Sequence, residues 1–310
     1  MRNAFNDALT GVARKDESLV LLVGDIGFRV FDDFREEFPD RFYNVGIAEA
    51  NMIGVAAGLA MSGMKPVVYT IIPFLVMRAF EQIRVDLCIQ DLPVILVGVG
   101  GGLSYDTLGP THHAIEDLSI MRSLPNMQVL TPCDPQEVIM TFSESFSHNG
   151  PTYIRLGKGG EENLLTKKTI ENRVTGKISP IKKGQDILFI CCGPILKETQ
   201  KAIDILSLDY DCGLISIHSL KPLDTQSLVN YFIGVNLIVT VEEHSVIGGL
   251  GSAISEIIAQ STINVQLLAI GIPDVVTKQI GKRDYLLGIH NMDSKSIAKR
   301  VHLLISNRGK

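Results

Sequence analysis

The chain has 310 residues, 45% of them apolar and 20% charged, with a net charge of −5 and an isoelectric point near 5.8. That length predicts two domains of ordinary globular composition, and the mild acidity excludes the basic surface that nucleic acid or anionic lipid would need. No apolar signal core opens the amino terminus MRNAFNDALTG, and Gly, Pro or charge interrupts every apolar run before it could span a membrane, so a cytoplasmic protein with no membrane partner is expected.

Short β-rich runs alternate with helical patterns along the whole chain. The candidate strands are LVLLVG (19–24), KPVVYT (65–70), PVILVGVG (93–100), MQVLTP (127–132), PTYIRL (151–156), DILFICCG (186–193), DCGLISIHS (211–219) and NLIVTVEE (236–243). They are continuous apolar runs, as strands covered on both faces require, which predicts an α/β architecture with parallel sheets. Between Gly157 and Lys183 the sequence turns polar, with three early glycines and many charges, and a domain boundary belongs there. The five cysteines are odd in number and form no CxxC pair, so they read as packing thiols.

Several stretches carry candidate chemistry. From Ile47 onward, IAEANMIGVAAGLAMSG surrounds a helix with apolar residues instead of lining one stripe, the pattern of a buried helix. Glu49 opens it. Either it is a first-turn acid stabilised by the helix dipole, or it lies near the interior and must be paired, hydrogen-bonded or protonated. Gly54 and Gly58 sit four apart on one face and cost helix propensity unless another backbone uses the gap.

Further on, Pro110 suits the first turn of a helix, which predicts His112 and His113 at a helix amino terminus after the glycine-rich loop GVGGGLSYDTLG. There the dipole would keep both neutral. Their spacing to Glu116 and Asp117 mimics a metal pair, without a third ligand nearby, and the residues alone leave ligand-facing and packing roles equally open. Arg155 ends a strand before glycines, so it is either a fork for a phosphate or carboxylate or a solvated strand end. The GGLG turn at 248–251 lies between a strand and a helix, but its spacing is not that of a dinucleotide fold, and close packing is the expected reason for it.

Taken in order, VGIAEANMIGVAAGLAMSG, GPTHHAIEDLSIMRSLPN, YIRLGKG, HSLKPLD and EEHSVIGGLGSA resemble the carboxyl-terminal half of transketolase, and more closely the separately encoded second subunit of split bacterial transketolases. The resemblance spans nearly the whole chain. It implies two doubly wound parallel-sheet α/β domains: a pyrimidine-binding domain for thiamine diphosphate over 1–160, a linker over 161–183 and a transketolase C-terminal domain over 184–310. It also implies a partner, the N-terminal transketolase subunit, in a two-plus-two heterotetramer. That subunit would hold the cofactor's diphosphate through a divalent metal (Mg2+ or Ca2+) on a GDG segment followed by an asparagine. In this chain GD occurs only in GDIG (24–27), so no metal ligand is expected in it.

The resemblance assigns roles residue by residue. Glu49 matches the glutamate that hydrogen-bonds N1′ of the cofactor's aminopyrimidine and promotes proton removal from the thiazolium. Phe74 matches an aromatic packing on the pyrimidine, and Asp25 an acid near the cofactor at the subunit interface. His112 matches a histidine facing the substrate, while Arg155 and Arg2 match arginines that hold the substrate phosphate. The implied reaction passes a two-carbon ketol unit from a ketose to an aldose. A 2-oxo acid dehydrogenase β subunit shares the two-domain plan and the glutamate helix, and a catalytically silent assembly subunit is a third reading. THHAIEDL and the arginine weigh for transketolase. Two departures stand out: Leu108 occupies the position of an acid that reads a sugar hydroxyl, and Gly100 that of a phosphate-facing histidine. They predict a dedicated sugar substrate, the alternative being that neighbouring loops restore the contacts for pentose phosphate substrates.

Overall fold

The computed structural model describes residues 1–178 and 180–307. Among these residues one sheet contains β1 (Leu19–Val23), β2 (Phe42–Asn44), β3 (Lys65–Ile71), β4 (Ile95–Val99), β5 (Gln128–Leu130), β6 (Thr152–Leu156) and β10 (Ser219–Lys221). A second contains β7 (Pro180–Lys182), β8 (Ile187–Cys192), β9 (Cys212–Ser216), β11 (Leu237–Ser245) and β12 (Gln266–Ile272). Their orders are β10-β5-β6-β4-β3-β1-β2 and β12-β11-β8-β9-β7. All pairings are parallel except at one edge of each sheet, where β10 runs antiparallel to β5 and β7 to β9. Helices cover both faces, so β1, β4, β6, β8 and β9 are buried along their whole length, which is why they read as unbroken apolar runs.

The stretch 211–219 does not form one strand. It turns at Ile217 and His218, so that β9 stays in the second sheet and β10 crosses to the edge of the first. Thr131 secures this crossing: its backbone N–H and hydroxyl donate to the carbonyls of His218 and Ile217, both at 2.8 Å. One apolar cluster then runs unbroken from Met52 and Ile53 through Leu118 and Met121 to Ile190, Leu228 and Ile254, welding the two sheets into one body. The cysteines are all buried free thiols, and burial pushes Cys191 up to about 12 and Cys88 and Cys212 up to about 11.

The segment expected to be a plain connector at 161–183 is tied down by a buried arginine. Nη1 of Arg173 donates to Glu137 Oε1 at 2.5 Å, to the Ser216 carbonyl at 3.1 Å and to Nδ1 of His218 at 3.1 Å. His218 completes this by donating from Nε2 to the Val174 carbonyl at 3.2 Å. Burial, reinforced by the cationic Arg173, pushes its pKa from 6.5 down to about 4. The unfolded chain therefore binds a proton at His218 that the folded chain refuses. Stability should fall as pH drops from about 6.5 to about 4, by up to roughly 3 kcal/mol at this site. Urea unfolding at pH 4.5 and 6.5 checks this: His218→Asn should lose that part of the slope, and an unchanged slope would contradict it.

Candidate active site

Glu49 begins the helix Glu49–Met61, with its side chain 2% exposed. Its charge is met by one group: Nη1 of Arg78 reaches both carboxylate oxygens, at 3.2 and 3.3 Å. Arg78 lies one turn after Phe74 in the helix Ile72–Arg78, so its guanidinium also covers the Phe74 ring, with the carbon 4.1 Å from the centroid. The Phe74 ring in turn meets the His112 ring edge to face at 5.1 Å. His112 continues to Tyr105 at 5.9 Å, and the ammonium of Lys158 stands 5.5 Å from the Tyr105 centroid. A buried acid, an aromatic ring, an imidazole, a phenol and a lysine thus form one continuous row.

The end of the row opens into a cavity of about 490 Å³ lined by Arg2, Asn3, Lys158, Gly159, Gly160 and Glu161. Arg2 starts the first helix (Arg2–Ala13), and its Nε is buried without a hydrogen-bond partner. The structure therefore brings Arg2 together with Lys158, and not with Arg155. Arg155 lies inside β6 with its side chain 4% exposed; Nε and Nη2 bind the two oxygens of Asp117 at 2.8 and 3.1 Å, and Nη2 also donates to the carbonyls of Ala114 and Glu243. The buried Asp117 carboxylate requires that cation, which leaves neither the solvated strand end nor the open substrate fork foreseen for Arg155.

The histidines do not sit in the first turn of a helix. The helix begins at Asp117 (Asp117–Ser123), because Gly102 and Ala114 exchange two backbone hydrogen bonds of 2.9 Å and hold the chain before it in a closed loop. His112 and Glu116 therefore lack the helical spacing of a metal pair. The His112 pKa is lowered, but by burial and the neighbouring His113 instead of a helix dipole. Thr111 places its hydroxyl 3.0 Å from His112 Nδ1. Among the described residues no cluster of three or more His, Cys, Asp or Glu is placed to hold a metal ion.

Asp25 is exposed just beyond β1, and its carboxylate takes a 3.0 Å hydrogen bond from the Asn44 amide at the end of β2. The same Asn44 side chain accepts from the N–H of Gly46, in the segment leading to Glu49. At the loop departures, Leu108 is 51% exposed, while the Tyr105 ring fills the space over Gly100, where an added Cβ would lie 2.1 Å from it. Arg78 and Lys158 were missed by sequence reasoning, although Arg78 falls one turn from Phe74 and Lys158 follows β6 directly. The GGLG cradle is filled from within: the Glu242 carboxylate accepts from the N–H groups of Leu250 and Gly251 at 2.7 and 2.8 Å. No helix of the described residues is long and apolar enough to cross a membrane.

Comparison with known proteins supplies the family. The profile "Transketolase, pyrimidine binding domain" matches residues 1–160 and "Transketolase, C-terminal domain" matches 176–297. The "Putative transketolase C-terminal section" of Methanocaldococcus jannaschii is 36% identical over 97% of this chain and 95% of its own length. An apulose-4-phosphate transketolase subunit of Actinobacillus succinogenes is 35% identical over 85% of each chain. A "1-deoxy-D-xylulose-5-phosphate synthase" of Syntrophotalea carbinolica is 34% identical over 96% of this chain, which spans only 47% of that protein. A solved structure described as "Split gene transketolase, inactive beta4 tetramer" superposes with a TM-score of 0.88 at 33% identity, covering 97% of this chain and 96% of its own. With both domains matched in order, this chain belongs to the transketolase family and corresponds to its pyrimidine-binding and carboxyl-terminal domains.

Proposed function

We propose that the chain is the second subunit of a thiamine-diphosphate-dependent transketolase, active only with an N-terminal subunit that holds the metal and the cofactor's diphosphate. The observation that carries this reading is the row from Glu49 to Lys158, which has the order that a cofactor ring followed by an anionic sugar requires. Half of a cofactor site is consistent with a chain spanning about half of its single-chain relative. The structural relative that assembles from such chains alone is described as inactive.

The residues present fit an aminopyrimidine. The Arg78 guanidinium is itself a planar group that lies on Phe74 and donates to Glu49, so it marks the place and the contacts such a ring would take. Arg78 is about half exposed and can leave toward solvent. Thiamine diphosphate, when bound, supplies the electron sink for cleaving the bond beside a ketose carbonyl. Glu49 holds and exchanges the proton at the pyrimidine N1′, and Phe74 supports the ring. Asp25 contributes at the mouth, where the partner arrives. His112, kept neutral and with the Thr111 hydroxyl beside its Nδ1, faces a substrate oxygen.

Lys158 and Arg2 take the substrate's anionic end, the role that Arg155 cannot fill while it serves Asp117. Lys158→Gln should raise KM for a phosphorylated ketose about tenfold, the loss of one charge-assisted contact worth about 1.4 kcal/mol. Arg155→Gln should instead lower thermal stability by about 3 kcal/mol or more, since it leaves the Asp117 carboxylate buried and unpaired. Steady-state kinetics and melting curves on both variants check the assignment; a raised KM with unchanged melting in Arg155→Gln would reverse it. Tyr105 over Gly100 and the exposed Leu108 replace polar groups that would read an ordinary sugar, so the natural substrate is a dedicated ketose or aldose. Relatives whose names carry apulose 4-phosphate and 6-deoxy-6-sulfo-D-fructose support that reading. The deciding assay is the reconstituted pair offered ketose phosphate with an aldose in one arm and pyruvate in the other: product from pyruvate alone would overturn the transketolase reading.

A further inference from the structure

The end of β11 reaches the loop that carries Tyr105 and His112. Glu243 there has a side chain only 4% exposed, yet it does not point into its own domain. Its Oε1 accepts the backbone N–H of Leu103 at 2.7 Å, in the loop between β4 and the helix Asp117–Ser123. The same carboxylate is held by Arg283, whose Nε lies 3.1 and 3.0 Å from its two oxygens. Gly102 admits this approach, because its φ is +64° and an added Cβ would lie 2.5 Å from Glu243 Cγ. Neighbouring residues extend the grip. The Ser245 N–H donates to the Ile115 carbonyl at 2.7 Å, and the Glu243 carbonyl accepts from Arg155, which also holds Ala114.

Gly102 and Ala114 close the neck of this loop by their paired 2.9 Å bonds, and Tyr105, Asp106 and His112 all lie inside it. A closed loop pinned at its neck moves as a unit with whatever pins it. Beneath it lies a cavity of about 260 Å³ lined by Ser104, Asp106, Lys158, Lys197 and Arg283, so released chain has room to sink. A backbone N–H bonded to a buried ionised carboxylate is a strong, directional contact, and leaving it unmet is costly.

We propose that Glu243, locked by Arg283, is a positioning residue through which the C-terminal domain fixes the loop 100–113 and sets the ring of His112 in the active site. Its effect on turnover rests on the reading of His112 given above; its effect on the loop does not. Neither residue touches substrate. Lys158 lies outside the loop but rests against it, its ammonium 3.6 Å from Asp106 Oδ1 and 5.5 Å from the Tyr105 centroid, so the same lock also bears on the anion end of the site.

The test reads the loop and the reaction separately. Hydrogen exchange on the chain should be at least tenfold faster in a fragment covering 100–113 for Glu243→Gln and for Arg283→Gln, with fragments covering β1, β4 and β8 unchanged. In the reconstituted complex, kcat should fall at least tenfold, and Arg283→Lys, which keeps a cation on the carboxylate, should recover most of the loss. Arg283 is partly exposed, and Arg283→Lys leaves a cation on the buried carboxylate, so that variant folds even where Glu243→Gln or Arg283→Gln fails. Exchange that rises equally in all fragments, or that stays at the parental rate in the loop, overturns the proposal. Full turnover in His112→Ala would instead remove the role of His112 and leave a loop-confined rise in Glu243→Gln standing.

Discussion

Glu49→Gln, reconstituted with the N-terminal subunit, should lose turnover by about 10³-fold while folding and assembling as the parent does. An amide keeps the shape and volume of the carboxyl but cannot take up and return a proton, and a positioned acid or base contributes typically 10² to 10⁴ in rate. The fold should tolerate the change. Among the described residues the carboxylate is matched by Arg78, and that guanidinium, about half exposed, can turn to water when its partner is neutralised. An uncharged side chain at a buried position also removes a desolvation cost. Turnover and size-exclusion behaviour measured on one preparation separate chemistry from structure, and parental turnover in the assembled variant would refute the role of Glu49.

The parts of the site legible in the sequence were those set by local spacing. The Glu49 helix announced itself by apolar residues on all sides, and the buried strands by unbroken apolar runs. What stayed hidden depends on which distant group a polar side chain meets. Arg155 has the sequence context of a substrate ligand, a strand end before glycines, yet Asp117, 38 positions away, claims it. Nothing in the local pattern distinguishes the two fates. Pro110 likewise reads as a helix start, but the Gly102 and Ala114 bridge, itself fixed from β11, delays the helix to Asp117. Of the strand read at 211–219, Cys212–Ser216 and Ser219 are β structure, and the break at Ile217 and His218 assigns its end to another sheet. The edge strands β2 and β7 have three residues each and carry too little periodicity to be seen, whereas QLLAIGI in β12 is an apolar run that the reading passed over.

Replacing Gly54 and Gly58 together by leucine should stabilise the isolated chain and abolish the enzyme. Glycine inside a helix costs about 0.8 to 1 kcal/mol relative to a good helix former, so a pair of leucines should raise the melting temperature if nothing stands in their way. A Cβ added at either glycine finds no heavy atom within 4 Å, so each new side chain starts into open space. The helix is apolar on all sides, as a buried helix is, yet this face stands open, with Val55 39% and Met61 66% exposed along it. Two glycines on one face serve close approach by another backbone, and helices with larger side chains at the contact pack about 8 to 10 Å apart. We infer that the N-terminal subunit covers this face, since the helix carries Glu49 at its start and the rest of the cofactor must arrive from the same side. Leucines there would hold the subunits apart by more than a cofactor site tolerates, and activity would disappear with assembly. Calorimetric melting of the isolated variant, paired with sedimentation of the mixture with its partner, reads both effects. A variant that melts higher and still forms a fully active complex would show that the partner docks elsewhere, and the reason for two glycines on an exposed apolar face would have to be sought in contacts between copies of this chain.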